Sequence, residues 1–247
     1  MLGDSYGSGV GAPPYDPSSG ACARSQSAYG VLVDGRARLE LDDFVACAGA
    51  TTTSLVAGGQ LSALDADTDL VLLSIGGNDI GWSQAVTACL GGTDAQCAGA
   101  AALVRGRIGT VLPGLLDALH DQIAAAAPGA RVVVTGYARL FSPECGAYLG
   151  ASPAEQQVLN EGADQLNNVV AAAAAGHGFD FVDVTDRFVG HGVNAPRPVA
   201  AGGVRPGCLP PEPAGLRGLR RCGDRDDQAR TQLLRRSLSS RQRRQAA

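Results

Sequence analysis

The sequence lacks several residue types that a chain of 247 residues ordinarily carries. It has no lysine, so its twenty basic residues are all arginine, and it has one methionine, one tryptophan and three histidines. No run of about 18 apolar residues occurs, so no transmembrane helix is expected. No charged and then apolar leader opens the chain, so we expect no signal peptide in the chain as written. With 45% apolar residues, disordered and collagen-like chains are excluded.

The charges divide unevenly along the chain, although the net charge is only −4. Residues 1–196 carry 8 arginines against 20 acidic residues, whereas residues 197–247 carry 12 arginines against four acidic residues. A basic segment of this kind is typical of binding to nucleic acid or to a membrane surface, which makes an interaction protein one hypothesis. The segment contains no aromatic residue, so we expect no nucleic-acid partner.

Short apolar runs predict the strands. Two runs predict buried strands, at Asp69–Ile75 and Arg131–Thr135, and a third clear strand is expected at Phe179–Val184. A further short strand is expected at Phe44–Cys47, after a weak helix at Ser27–Val33.

Two long helices are predicted between these strands. Residues 101–127 have a helical pattern that Pro113 should divide into two pieces. Ser152, Pro153 and Glu155 supply an N-cap, a first-turn proline and a capping-box glutamate for a helix that should run to about Ala175. Strands that alternate with long helices predict an α/β fold with a parallel sheet covered on both faces.

Seven cysteines are many for a cytosolic α/β protein. No C-x-x-C pair or Cys/His cluster with zinc spacing occurs, so no metal site is expected. Two interpretations stay open: buried free thiols, or an oxidised extracytoplasmic protein with two or three disulfides and one odd cysteine. We favour the second, because disulfides form and persist outside the cytoplasm.

Ser5 lies in a turn with glycine at positions 3, 7, 9 and 11. Small residues on both sides let a hydroxyl project towards a substrate and a general base. Residues 7–12 also match a relaxed dinucleotide-binding fingerprint, with Asp34 at roughly the right distance. That alternative requires a helix directly after the glycines, where Pro13 and Pro14 stand instead, so no dinucleotide cofactor is expected.

Two further turns follow strands and carry groups that could stabilise an oxyanion. Gly76-Gly77-Asn78-Asp79 ends the Asp69–Ile75 strand at its carboxyl end, where open α/β sheets bind their ligands. Asn78 could direct its side-chain amide at a developing negative charge, and Gly49 could let a substrate approach a backbone N–H. The alternative is an ordinary turn, because Asn-Asp after Gly-Gly is common turn chemistry.

Together these turns resemble the blocks of the SGNH (GDSL) hydrolase family, most closely the secreted, disulfide-bonded esterases and lipases of actinomycetes. Gly3-Asp4-Ser5 is similar to the first block, residues 47–51 to the second, and residues 76–79 to the third. The likeness extends to about residue 195. It implies a three-layer αβα sandwich with a parallel, flavodoxin-like sheet, and hydrolysis of carboxylic esters.

The resemblance also implies roles for individual residues. Ser5 would be the nucleophile, and its own N–H, the Gly49 N–H and the Asn78 side chain would form the oxyanion hole. The implied disulfides are Cys22–Cys47, Cys89–Cys97 and, with a less clear partner, Cys145–Cys208. We therefore expect a secreted, monomeric serine esterase or lipase that acts on a small-molecule or lipid ester and needs no metal or organic cofactor.

The general base of the family has no counterpart in this reading frame. His120 follows Asp117 with the family's Asp-x-x-His spacing, but it lies on the wrong helix and is interpreted as a helix-surface residue. His177, between two glycines, is expected in an exposed loop, and His191 matches a loop position of the family rather than its base. A catalytically dead binding protein with the same fold is therefore an alternative function.

A frameshift near Pro196 would explain the missing base, the reversal of charge and the odd Cys222 together. Synonymous codons for residues 209–212 permit a Phe-His-Pro-Asn string one base later, which is similar to the family's last block. We accordingly expect residues 1–196 to form an incomplete hydrolase domain, and residues 197–247 to be an aberrant, irregular arginine-rich tail. The family's first strand and secretory leader are expected to be missing before Gly3. Trp82 would either line an acyl pocket or pack as a half-buried aromatic.

Overall fold

The computed structural model describes residues 1–36 and 38–196. This part of the chain contains a parallel sheet of four strands in the order β1-β2-β3-β4. The strands are β1 (Leu2–Gly3), β2 (Leu70–Ser74), β3 (Arg131–Thr135) and β4 (Asp180–Val182). The predicted α/β fold with a parallel sheet is confirmed, and the three long predicted strands appear within one or two residues of their expected bounds.

The helices of this region surround the sheet. They are α1 (Ser5–Ser8), α2 (Tyr29–Val33), α3 (Thr52–Ala57), α4 (Trp82–Gly91), α5 (Asp94–Thr110), α6 (Leu112–Ala126) and α7 (Pro153–Gly176). The division between α5 and α6 falls at Val111, which places Pro113 in the first turn of α6, where a missing N–H costs nothing.

Strand register explains how the layers form. Leu73 pairs with Val134, and Val134 with Phe181, so these side chains share one face of the sheet. That face packs into the core with apolar residues of α3, α6 and α7. On the other face, the Tyr29 hydroxyl of α2 lies 3.3 Å from Thr135 Oγ1. One face of the sheet is therefore covered by α3, α6 and α7, and α2 lies on the other face.

The first strand, which was expected to be missing, is present as Leu2–Gly3. Two residues suffice because both polar backbone groups of Gly3 are also bonded from outside the sheet. The Gln60 side chain accepts from Gly3 N at 2.8 Å and donates to Gly3 O at 3.1 Å. The predicted strand at Phe44–Cys47 is not a regular strand, yet Cys47 N donates to Gly3 O at 2.9 Å, so this segment runs beside β1.

The capping signals before the longest helix are confirmed. Ser152 accepts from the Glu155 amide, and the Glu155 carboxylate accepts from Ser152 N at 2.8 Å, which is a reciprocal capping box at the start of α7. Trp82 packs against α7, since its ring lies 3.1 Å from the position that a Cβ on Gly162 would take. This contact favours the packing role of Trp82.

Two histidine expectations are wrong. His120 was expected on a helix surface, but its side chain is fully buried because it continues the apolar stripe of α6 formed by Leu116, Leu119 and Ile123. His177 was expected in an exposed loop, but its side chain is only 13% exposed. It caps the end of α7 and hydrogen-bonds to Asp121 at 3.2 Å and to the Ala173 carbonyl at 3.1 Å.

Candidate active site

Three loops that were expected to carry the site leave the sheet at the same edge. Ser5 follows β1, and residues 75–79 follow β2, its parallel neighbour. Gly49 follows the extended segment that bonds to β1 through Cys47. Because parallel strands end at one edge, Ser5, Gly49 and Asn78 all lie at the carboxyl edge of the sheet, where ligands bind in folds of this kind.

Ser5 is the first residue of the short helix α1 and is half-buried. Asp4 caps this helix, because its Oδ1 accepts from Tyr6 N at 2.9 Å. Gly9 ends the helix in the left-handed conformation, at φ 81°, which glycine adopts without strain. Within the described part of the chain, the backbone N–H of Ser5 has no hydrogen-bond acceptor.

The second and third loops are joined to each other through Asn78. Its Nδ2 donates to the Ala50 carbonyl at 2.9 Å, which leaves the second hydrogen of the amide for another acceptor. Gly49, next to Ala50, has φ 81°, and space is open where a Cβ would stand. Its N–H, like that of Ser5, has no acceptor in residues 1–36 and 38–196. Unpaired N–H groups and an oriented amide at one edge can together receive an anionic oxygen.

A buried hydrogen-bonded chain below these loops was not predicted from the sequence. The Tyr137 hydroxyl donates to Asp4 Oδ2 at 2.5 Å and accepts from Gly77 N at 3.0 Å. Tyr137 follows β3, and its ring meets Tyr6 edge to face, with centroids 4.7 Å apart. These hydrogen bonds join the loops after β1, β2 and β3. Their only signal in the sequence is that Tyr137 comes two residues after the Arg131–Thr135 run, at the same edge of the sheet.

Burial governs the acidity of the two carboxylates in these loops. Desolvation raises the pKa of Asp4 to about 7, against the hydrogen bonds from Tyr137 and Tyr6, which favour the ionised form. Burial also raises the pKa of Asp79, although Thr52 donates to its carboxylate from both the backbone and the hydroxyl. Asp4 therefore changes its charge near neutral pH.

The histidines occupy different parts of the fold. His177 ends α7 and precedes β4, so it lies towards the amino edge of the sheet, opposite Ser5. His120 packs beside it, with ring centroids 5.2 Å apart. His191 lies in the loop after β4, where its backbone N–H donates to the Phe188 carbonyl at 2.9 Å. None of these positions assigns a general base to Ser5.

Two of the three expected disulfides are present. Cys22–Cys47 joins the loop after α1 to the segment that precedes Gly49, and Cys89–Cys97 joins α4 to α5. The third expected pairing, Cys145–Cys208, stays a prediction because Cys208 lies outside the described residues.

The described ranges contain no group of three or more His, Cys, Asp or Glu side chains that could hold a metal ion. None of the helices they contain is long and apolar enough to cross a membrane.

The parallel sheet, with Ser5, Gly49 and Asn78 at its carboxyl edge, defines an α/β protein whose candidate site lies where ligands bind in such folds. Residues 1–217 match the GDSL-like Lipase/Acylhydrolase family. The chain is 42% identical over 190 residues to a lipase of Streptomyces rimosus, and this match covers 77% of the chain and 70% of the relative. It is 41% identical to Lipase 1 of Streptomyces coelicolor with the same coverage. The chain belongs to this family, which confirms the expected resemblance.

Two crystal structures are similar to the fold described above. The extracellular lipase of S. rimosus superposes with a TM-score of 0.75 and 41% identity, covering 80% of this chain and 84% of that protein. Phospholipase A1 of Streptomyces albidoflavus superposes with a TM-score of 0.73 and 40% identity, covering 78% and 81%. These neighbours confirm the fold class at the level of the whole sheet and its helices.

Proposed function

We propose that the chain hydrolyses carboxylic esters through an acyl-enzyme formed on Ser5. The similar proteins are named lipases and a phospholipase A1, and their shared reaction is ester hydrolysis. These relatives do not favour the alternative of a dead binding domain. The Ser5 oxygen would attack the ester carbonyl and the alcohol would leave. Water would then release the acid and restore the serine.

The observation that carries this proposal is the set of hydrogen-bond donors around the serine. The Ser5 and Gly49 N–H groups have no acceptor in the described residues, and one Asn78 amide hydrogen remains after the bond to Ala50. Charge develops on the carbonyl oxygen during attack, and such donors stabilise it without reorganisation. We therefore assign the oxyanion hole to Ser5, Gly49 and Asn78.

We further propose that the general base is encoded in a shifted frame after about residue 196. A serine hydroxyl without a base is a weak nucleophile, and none of His120, His177 and His191 occupies a position that assigns it this role. On this proposal residues 1–196 are the hydrolase domain and residues 197–247 are a translation of the wrong frame. The nucleotide sequence of codons 209–212 decides it: codons that cannot yield Phe-His-Pro-Asn one base later contradict the proposal.

The substrate class, the oligomeric state and the location of the enzyme are also proposals. We propose a small-molecule or lipid ester as the substrate, and a monomer as the working state. Secretion is supported by the two disulfides and by the relative described as an extracellular lipase. Assays with a series of esters would measure the preferred acyl-chain length.

The test compares two proteins, the chain as given and a version with the reading frame restored after residue 196. Each is assayed on p-nitrophenyl butyrate beside its own Ser5→Ala variant. We expect Ser5-dependent hydrolysis in the restored chain, about 10²- to 10⁴-fold faster than in the chain as given, which is the typical contribution of general acid–base catalysis. Hydrolysis that survives Ser5→Ala, or a folded restored chain without hydrolysis, would contradict the proposed function.

A further inference from the structure

The two buried hydrogen bonds that link Gly77, Tyr137 and Asp4 run in one direction. The Gly77 N–H can only donate, so the Tyr137 oxygen accepts from it at 3.0 Å and directs its own hydrogen to Asp4. Asp4 Oδ1 already accepts from Tyr6 N. An ionised Asp4 is the form that satisfies every donor, whereas a protonated carboxyl would place two hydrogens between Oδ2 and the phenol oxygen.

The contacts of Tyr137 hold it rigidly in this position. Its backbone N–H donates to Asn167 Oδ1 at 2.7 Å, and its carbonyl accepts from Asn167 Nδ2 at 2.8 Å. A Cβ on Gly77 would stand 3.3 Å from the Tyr137 ring, so glycine allows the phenol to lie close against the backbone there. Because the phenol is in contact with Gly77, a shift of the phenol would also shift Gly77, and Asn78 is the next residue.

We propose that Tyr137 is a positioning residue, which transmits the ionisation of Asp4 to the Gly77–Asn78 turn and so keeps the Asn78 amide aligned with Ser5. The inference rests on the proposed function for its catalytic meaning. It joins the nucleophile loop to the oxyanion loop through one phenol, because Asp4 adjoins Ser5 and Gly77 adjoins Asn78. Asn78 is then held at both ends. Its backbone is bonded to Gly77, and its side-chain amide donates to the Ala50 carbonyl.

The other titratable groups around Asp4 belong to the same region. Tyr6 lies on α1, Tyr29 on α2 and Asp79 in the loop after β2, and each interacts electrostatically with Asp4. Burial raises the pKa of both tyrosines above their ordinary value, so they stay neutral across the range in which Asp4 titrates. Asp79 is the remaining acid, and its carboxylate is bonded to Thr52 rather than to the phenol.

The experiment is a pH titration by NMR of the full chain, labelled with ¹³C and ¹⁵N. It follows the Asp4 carboxyl carbon and the Asn78 side-chain amide, which is assigned by its loss in Asn78→Asp. We expect both signals to titrate with one midpoint in the unsubstituted chain. In Tyr137→Phe the Asp4 midpoint should move to higher pH, because a donor to the ionised form is gone, and the response of the Asn78 amide should disappear.

Controls separate this role from ordinary packing. Tyr29→Phe removes a hydroxyl bonded to Thr135 rather than to Asp4. Because Tyr29 stays neutral while Asp4 titrates, this substitution should leave both titrations unchanged. Should Tyr137→Phe fail to fold, Asp4→Asn keeps the phenol and should abolish the Asn78 response. Two results would overturn the proposal. In the first, the Asn78 amide signal of Tyr137→Phe titrates as it does in the unsubstituted chain. In the second, the Asn78 amide signal of Asp4→Asn keeps the midpoint of the unsubstituted chain.

Kinetics of the frame-restored chain complete the test. We expect Tyr137→Phe to lower kcat roughly tenfold with KM changed less than about twofold, because the loss concerns an interaction with the transition state. The acid limb of its pH profile should move to higher pH. An unchanged kcat and pH profile in Tyr137→Phe would overturn the role in catalysis. A chain without esterase activity contradicts the proposed function instead, and the NMR titration still decides whether Tyr137 couples Asp4 to Asn78.

Discussion

Asp79 accepts three hydrogen bonds from Thr52, one from its hydroxyl at 2.7 Å and two from its backbone N–H at 3.1 Å. Thr52 begins α3, so the carboxylate occupies the position of a cap supplied by a distant part of the chain. The Asn78 side chain, next to Asp79, also donates to the Ala50 carbonyl, so two side-chain contacts join the loop of residues 76–79 to the segment of residues 50–52. The second and third family blocks are thereby joined into one rigid unit at the edge of the sheet.

Replacing Thr52 by valine tests this connection, because it removes the hydroxyl and keeps the shape. We expect Thr52→Val to lower the free energy of unfolding by about 1–3 kcal/mol, since it leaves a partly buried carboxyl group without one of its hydrogen-bond donors. The measurement is urea unfolding at pH 7. Thr87→Val, which removes an exposed bond to the Ser83 carbonyl within α4, should change stability by less than about 0.5 kcal/mol. Equal effects of the two substitutions would refute a special role for Thr52.

The two disulfides should contribute unequally to stability. Cys22–Cys47 closes a loop of 25 residues and Cys89–Cys97 one of 8 residues. Loop-closure entropy then gives about 3.5 kcal/mol for the first and about 2.5 kcal/mol for the second. Paired Cys→Ala variants, compared by thermal unfolding, check this order. Loss of Cys22–Cys47 should also reduce the esterase activity of the frame-restored chain, because Cys47 anchors the segment before Gly49. A larger stability loss from the shorter loop would contradict the entropic argument.

Gly3 cannot carry a side chain without moving the sheet. It has φ 137°, and a Cβ there would overlap the Ser74 carbonyl oxygen on β2. Gly178 also has a positive φ, 70°, but space is open around it. We expect Gly178→Ala to cost about 1 kcal/mol, from backbone strain alone, and Gly3→Ala to prevent stable folding. Soluble yield and thermal unfolding give the comparison, and a Gly3→Ala protein as stable as Gly178→Ala would show that β1 is dispensable.

The parts of the fold that the sequence predicts are those with local signals. The capping box at Ser152 lies within four residues, and the run Arg131–Thr135 carries its own apolar pattern, so both were found. The first strand was missed because its stability comes from Gln60, 57 residues away, whose amide bonds Gly3 on both sides. No pattern near Gly3 contains that information.

The candidate site also contains features with a local sequence signal and features that depend on distant contacts. Ser5, Gly49 and Asn78 were predicted from their turns, and the structure brings these turns to one edge of the sheet, while their roles stay a proposal. Tyr137 was missed because its partner Asp4 is 133 residues away and the bond depends on the order of strands in the sheet. The prediction of His120 on the helix surface was wrong, because this polar residue stands at a position that continues the apolar stripe of α6. Side-chain pairing across the sheet is a tertiary property that neither spacing nor composition records.

Asp4 should make the protein less stable as the pH rises through neutrality. Its pKa is about 7 in the folded chain and 3.8 in the unfolded chain, so between these values the folded state binds the additional proton. The free energy of unfolding contributed by this group is greatest below pH 3.8 and is lost as the pH rises through 7. We expect Asp4→Asn to flatten this decline, measured by urea unfolding at a series of pH values. A variant with the same slope between pH 5 and 8 would contradict it.

His120 should act in the opposite direction, on the acid side. Burial lowers the pKa of His120 to about 4 from 6.5, against the attraction of Asp117 and Asp121 and with the help of nearby His177. Between pH 6.5 and 4 the unfolded chain binds a proton that the folded chain rejects, so stability falls as the pH falls through this window. Each pKa unit corresponds to about 1.4 kcal/mol. His120→Leu should remove this acid-side loss, whereas His191→Gln, in the loop after β4, should preserve it. If urea unfolding of His120→Leu shows the same fall in stability from pH 6.5 to 4 as the unsubstituted chain, then another group causes it.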